Sequence, residues 1–350
     1  MGKVLKVTME DVAQAAGVTQ ATVSMALRNH PKISRTTQVK VAAVAEKLGY
    51  QAHGAISTMM ARIRLRRPVS YQATLGAIIP HADRDEFLGN KTFLRYLKGA
   101  TARAAELGFK LEPFWPCLDD MTGPRLTEIL RARGIEGLLV LPLPQPGLLT
   151  LDLTPFAVAA IGYTLEGPAV HRATTAHYEA MLTTVRQVED AGYCRIGLVL
   201  DRNVHNRTER KWLAAFFAYQ NDRPDRGGAP LVLVAEHTQR PDEFVTWLRD
   251  NRPDAIIAGN VPVREWLAKA GRRLSAKLGV AILGERYQHP SLAGIDEHSE
   301  RVGAAAIEIV VAQLHRNERG LPAFPQDVHV AGEWRPGESL PRRRQAARTR

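Results

Sequence analysis

The chain has 350 residues, 45% of them hydrophobic and 24% charged, with a formal charge of +11. That length suits two or three domains, that balance belongs to an ordinary globular protein, and no run of 18 apolar residues is present to cross a bilayer. The charge is uneven: residues 1–70 carry +8, the last ten +5, and the stretch between them −2. A basic end on a near-neutral body suits a polyanion partner, because release of phosphate counterions drives such binding. A solvated charge run is the plainer alternative, and charge alone does not separate the two. The opening residues lack the apolar stretch of a secretory signal, so a cytoplasmic location is expected. Cys117 and Cys194 are far apart and lack metal-ligand spacing, so two buried thiols in a reducing compartment are expected, with no metal.

The first 50 residues predict three short helices. Thr8, Met9, Glu10 and Asp11 fit a capping box that starts one helix. Val12, Ala13 and Ala16 then form its apolar face, and Gly17 stops it. Val18 packs inward and Thr19 caps a second helix, with Val23, Ala26 and Leu27 at helical spacing. Ser34 caps a third, with Val39, Val41, Ala42, Ala45 and Leu48 as its apolar positions. Two short helices joined by a tight glycine turn, with small Ala13 and Ala26 at the crossing, predict a helix-turn-helix. Its second helix enters the major groove by its N-terminal end. Gln20, Ala21 and Met25 are the candidate base readers: Gln20 can pair with adenine and Ala21 can touch a thymine methyl. Thr19, Thr22, Ser24, Arg28, Ser34 and Thr37 are candidate phosphate contacts. A generic three-helix bundle accounts for the apolar pattern, but not for short polar residues at the start of the second helix or for the local charge.

Residues 7–24, VTMEDVAQAAGVTQATVS, resemble the opening signature of the LacI/GalR family of transcriptional regulators. Ile33, Ser34, Leu48, Gly49 and Tyr50 extend the match, which loosens but continues to about residue 340. The resemblance implies a homodimer on a palindromic operator in double-stranded DNA. It also implies a hinge helix within residues 53–70 that orders in the minor groove. The family pattern N-x-x-A-R-x-L reads here as His53, Ile56, Ser57 and Met59, so Met59 takes the place of the wedging leucine. Ala55, Ile56, Met59 and Arg62 are the candidate hinge contacts. The alternative is a disordered basic linker.

From residue 74 the pattern changes to alternation of strand and helix. Strands are predicted at 74–79, 111–114, 137–141, 158–161, 196–200, 231–235, 255–258 and 280–283. Helices are predicted at 93–107, 123–133, 177–191, 208–220, 241–250, 263–274 and 297–316. Such a series builds parallel sheets covered on both faces. Eight strands exceed one comfortable sheet, so two doubly wound lobes are expected, with a ligand cleft at the carboxyl ends of the strands. The fold class is therefore α/β: an all-α headpiece (1–52) and hinge (53–70) before a two-lobed core (71–340) and a basic tail (341–350). The resemblance implies the periplasmic-binding-protein-like core, with an N-lobe of 71–161 plus 294–320 and a C-lobe of 162–293 plus 321–340.

The resemblance also implies a small-molecule effector, such as a sugar, between the lobes. Candidate contacts are His81, Asp83, Arg210, Trp212, Asn260 and Glu285. Three family positions differ: Gly162 stands for an aspartate, Val261 for another, and the arginine before the aromatic Trp212 is displaced to Arg210. The cleft is thus either a responsive site or a degenerate one, and an effector-independent or non-sugar-responsive regulator stays open. Enzyme motifs are absent: G-x-S-x-G, H-E-x-x-H, G-x-x-x-x-G-K-[ST] and paired cysteines do not occur. No catalytic activity and no cofactor are expected. A plain ligand carrier would not need the reading head.

Overall fold

The structure is a computed structural model and describes residues 9–27, 33–48, 73–223, 231–236, 241–284 and 288–343. The head holds helices Met9–Ala16, Gln20–Ala26 and Arg35–Leu48. Gly17 takes φ +67°, and the Val18 N–H donates to the Ala13 carbonyl at 3.0 Å, which turns the chain tightly between the first two helices. Val12, Ala13, Ala16, Val23, Ala26, Val41 and Ala45 close a small core, with Val18 and Leu27 packed against it. The third helix differs from expectation. Val41 and Ala45 face inward, whereas Val39 is 63% exposed and Ala42 and Leu48 are also exposed. Positions 41 and 45 lie one turn apart and fix the buried face, which turns 39 and 42 away from it.

In the body, strands follow in chain order: β1 (Ala73–Ile78), β2 (Phe109–Phe114), β3 (Gly137–Val140), β4 (Gly147–Leu148), β5 (Ala157–Ile161), β6 (Leu165–Gly167) and β7 (His171–Thr175). Then come β8 (Ile196–Asp201), β9 (Val232–Ala235), β10 (Ala255–Gly259), β11 (Gly279–Leu283), β12 (Ala293–Asp296), β13 (Asp327–Val330) and β14 (Glu333–Arg335). They form two six-stranded sheets, ordered β13-β7-β5-β3-β1-β2 and β14-β12-β11-β10-β8-β9. All neighbours are parallel except the β12–β14 pair, and β4 pairs with β6 outside both sheets. Strands such as β3, β5, β10 and β11 are buried along their whole length. Continuous apolar runs of this kind belong to sheets covered on both faces. Alternate β3 residues serve the two faces of the first sheet: Leu139 packs with Leu75 and Val310, and Leu138 with Leu126 and Phe156.

The chain crosses between lobes three times. It leaves β7 for the His177–Asp190 helix against the second sheet, leaves β12 for the Ser299–Arg316 helix against the first, and leaves β13 for β14. This differs from the expected lobe bounds. β7 and β13 belong to the first sheet, although the expectation put 162–293 and 321–340 in the C-lobe, and β12 belongs to the second sheet. β7, with sequence HRATT, carries little apolar signal and is a strand because β5 and β13 pair with both its edges.

Two further corrections concern local structure. The helix expected at 208–220 begins only at Lys211, because Glu209 and Arg210 take positive φ, and a separate short helix, Arg202–Arg207, precedes it. Both cysteines are free and exposed rather than buried. Among the described residues no helix is long and apolar enough to cross a membrane.

Candidate functional site

Two places gather chemistry, and the first is the start of the second head helix. Thr19 has extended backbone (φ −78°, ψ 156°), and its Oγ1 accepts the Thr22 N–H at 3.1 Å. The Thr19 and Thr22 hydroxyls stand 2.9 Å apart. A matching pair opens the third helix: Ser34 Oγ accepts the Thr37 N–H at 3.3 Å and lies 2.8 Å from Thr37 Oγ1. Two candidate phosphate contacts, Thr19 and Ser34, therefore also cap helices, and in each pair of hydroxyls one hydrogen stays available for an outside acceptor. Gln20 and Ala21 are exposed on the first turn, while Thr22, Ser24 and Met25 are half-buried. Val23 and Ala26 on the opposite face lie in the head core, so the polar face is held outward by packing. Arg28 and the hinge candidates Ala55, Ile56, Met59 and Arg62 lie outside the described residues.

The second place lies where the carboxyl ends of the two sheets meet. Strand order reverses between β1 and β3 in the first sheet and between β8 and β10 in the second. Doubly wound sheets bind ligands at such reversals. His81 follows β1, and its Nε2 lies 3.0 Å from the Pro142 carbonyl after β3, so it bridges the first reversal. Its ring packs edge-on to Phe87 and Phe93, and its Nδ1 is buried without a partner. Burial pushes its pKa below the usual histidine value, partly offset by that carbonyl.

From the second reversal comes Arg207, at the end of the helix after β8. Its Nη1 donates to the Leu143 and Pro144 carbonyls of the first lobe at 3.1 and 3.0 Å. Beside it, Lys211 Nζ sits 3.9 Å from the centroid of the Tyr163 ring. Tyr163 Oη is 3.1 Å from His329 Nε2, and burial, aided by the Asp327 charge, raises its pKa to about 12.

The crossovers form the back wall. His177 Nδ1 stands 3.5 Å from Glu297 Oε1, an ion-pair distance without an aligned hydrogen bond. The His177 ring packs edge-on to Trp212 at 5.4 Å. Trp212 is 2% exposed, yet its Nε1 has no partner, and Thr175 Oγ1 is likewise buried and unpaired. A Cβ at Gly284, at the end of β11, would lie 3.7 Å from Trp212 Cη2 and 3.9 Å from Glu297 Oε2. Indole and carboxylate therefore meet at the carboxyl end of the second sheet.

The sequence candidates are distributed unevenly over this site. His81 and Trp212 lie in its walls. Asp83 is used as a cap, its Oδ1 accepting the Asp85 and Glu86 N–H groups at 2.8 and 3.2 Å. Asn260, after β10, and Arg210 are exposed with positive φ. Glu285 lies outside the described residues. Tyr163, His177, Arg207, Lys211 and Glu297 were not singled out from the sequence. Tyr163, His177, Lys211 and Glu297 share one signal, a polar residue just past an apolar strand or at the start of the next helix, whereas Arg207 ends a helix and has no such signal.

The family described as "Bacterial regulatory proteins, lacI family" matches residues 8–53. The HTH-type transcriptional regulator PtxS of Pseudomonas plecoglossicida is 24% identical over 338 residues, spanning 93% of this chain and 94% of that protein. Among solved structures, a complex of the transcriptional regulator CelR with cellobiose aligns with TM-score 0.56 and 16% identity, over 95% of this chain and all of that one. A lac repressor dimer bound to operator and the anti-inducer ONPF aligns with TM-score 0.55 and 15% identity, over 96% and 99%. At those identities the two structures speak for the fold.

Proposed function

We propose a mechanism that starts from one premise: the chain belongs to the lacI family of DNA-binding transcriptional regulators, which bind DNA and catalyse no reaction. It works in the cytoplasm as a homodimeric repressor of carbohydrate-related genes. Each head reads one half of a palindromic operator, with Gln20, Ala21 and Met25 toward base edges. Thr19, Thr22, Ser24, Arg28, Ser34 and Thr37 hold the phosphates. Ala55, Ile56, Met59 and Arg62 contact the minor groove at the centre, where Met59 is the wedge. An effector between the lobes has different affinity for open and closed forms and so shifts their populations, which changes the spacing of the two hinges.

The observation that carries this reading is the Thr19-capped helix whose first turn exposes Gln20 and Ala21 over a closed apolar core. The operator-bound lac repressor dimer supports the dimeric arrangement, and the cellobiose complex of CelR supports a carbohydrate effector. Selection of bound DNA from a random pool tests it. A two-fold symmetric consensus is expected, and Gln20→Ala should relax one or two positions per half-site, worth roughly 1–3 kcal/mol each. Failure to enrich any consensus would reject the reading.

An effector-independent regulator is favoured by one observation. The Asp83 carboxylate is committed to a helix cap and the Trp212 ring is packed into the core, so neither is free to receive a sugar. A thermal-shift screen of sugars, sugar phosphates and purines separates the two, since a ligand of the folded state raises Tm by mass action.

A further inference from the structure

Arg207 has a feature that neither operator binding nor lobe packing requires. It is half-buried between the lobes, and all its polar partners are neutral. Nη1 donates to two main-chain carbonyls, and the guanidinium carbon lies 4.7 Å from the centroid of Phe93. Neighbouring cations are matched differently. Arg172 pairs with Asp327, Arg202 with Glu236 and Lys211 with Glu209. Among the described residues no carboxylate pairs with Arg207, and Nε and Nη2 donate to no protein acceptor. Burial draws the Arg207 pKa below the usual arginine value and outweighs the Coulombic pull of Tyr96 and, after it, of Glu86. Arginine nevertheless keeps its charge in proteins.

An unmatched cation in a partly dry site is costly, and two carbonyls and a ring face offset only part of that cost. The Nε–Nη2 edge is the face of a guanidinium that grips two oxygens of one anion at once. The surroundings fit a ligand there. His81 Nδ1 and His205 Nδ1 are buried without partners, and both rings are held toward the neutral form by burial, so each can give or take one hydrogen bond. Lys211, on the same lobe, lies over the Tyr163 ring and is already paired with Glu209. The acids in the region are Glu86, Asp201, Glu209, Glu297 and Asp327; Asp201 caps the helix that ends at Arg207, and Asp327 is paired with Arg172. Glu209 is paired with Lys211, and Glu297 faces His177.

We propose that the interlobe cleft takes a small organic anion, a carboxylate or a phosphate monoester, whose charged group is gripped by Arg207. This rests on the cleft being the effector site of the mechanism above. The anion adds the counter-charge that the two carbonyls and the ring lack, and its remaining groups meet the unpaired nitrogen of His81.

The test uses the full chain with glucose, glucuronate and glucose 6-phosphate as probes, sharing one ring but differing in charge. Sodium phosphate serves as the bare anion, all at matched ionic strength. Titration calorimetry should give a Kd for at least one organic anion ten-fold or more below that for glucose, and which one binds separates carboxylate from phosphate. Arg207→Gln should erase that preference, and Arg207→Lys, which keeps the charge but loses the fork, should fall between. Unliganded melting of each variant shows whether it folds. No anion binding tighter than glucose overturns the proposal, as does equal weakening of anionic and neutral ligands in Arg207→Gln. Binding by bare phosphate alone, with no organic anion, also overturns it. Operator binding measured without ligand is independent: its loss defeats the regulator reading, while its survival beside a negative titration defeats only the anion.

Discussion

Gly99→Ala probes the contact that fixes the back wall of the cleft. The Lys91–Glu106 helix packs on the Ser299–Arg316 helix with Gly99 and Gly303 at the crossing, backbone against backbone. A Cβ on Gly99 would fall on the Glu300 carbonyl and sit 2.6 Å from its Cα, and a Cβ on Gly303 would sit 2.9 Å from the carbonyl carbon of Tyr96. Carbon atoms pack at about 3.5–4.0 Å, so the helices must part by about 1 Å, and a gap of that size forfeits a quarter to a half of the dispersion attraction across it. Overpacking of this kind costs about 1–3 kcal/mol. Because the obstacle is main chain that cannot rotate away, the upper end applies. The gain in helix propensity returns about 1 kcal/mol, leaving a net loss of about 2 kcal/mol. For a body of this size that lowers Tm by about 4–8 °C. Gly89 is the control: a Cβ there meets nothing within 4 Å, so Gly89→Ala should be neutral or slightly stabilising. Differential scanning calorimetry of the full chain reads both. A Gly99→Ala protein that melts with or above the parent would refute the close-crossing argument, and with it the idea that this helix pair sets the position of Glu297.

Three more outcomes are expected. Thr19→Ala removes the acceptor for the Thr22 N–H and should cost the head about 1 kcal/mol, while Thr19→Ser should retain it; proteolysis of the head and operator affinity check both variants. Gln313 is buried and completes β5 where β7 does not reach, donating from Nε2 to the Val158 carbonyl at 3.0 Å and accepting its N–H at 3.3 Å. Gln313→Leu strands both groups and should lower stability by about 2–4 kcal/mol, so an unchanged urea midpoint would count against it. His81, His171 and His205 all have pKa values lowered by burial in the folded chain. The unfolded chain then binds more protons below about pH 6.5, the ordinary histidine value, so stability should fall as pH drops through that point and stay level above it. A Tm that rises from pH 7 to pH 5.5 would contradict this sign.

The head was legible because its information is local. Gly17 has to turn, Thr19 has to cap, and a face built from Val12, Ala16, Val23 and Ala26 can close only one way. Its misjudged positions, Val39 and Ala42, show the limit: both are apolar, and only the packing of Val41 and Ala45 against the other helices chose which side is buried. In the body, apolar runs such as GLLV and AVAAI announced the buried strands. β7 and β13 carried no such run: β7 buries the polar His171, Thr174 and Thr175, and β13 is largely exposed.

The cleft divides the same way. Residues next to strand ends were visible as candidates, but their roles depended on neighbours far along the chain. Asp83 looked available and is spent on its own helix. Trp212 looked like a stacking face and is packed into the second lobe. Arg207 drew no notice in sequence, being one arginine among many, and became significant only when folding set it against carbonyls 64 and 63 residues away. Sequence alone determined that the head is a capped helix-turn-helix and that the body is a pair of parallel sheets, since caps, turns and apolar period act over one or two turns of chain. Tertiary structure alone decided where the lobes divide and which charge stands unmatched between them, because strand pairing and electrostatic partnership are set by distance in space.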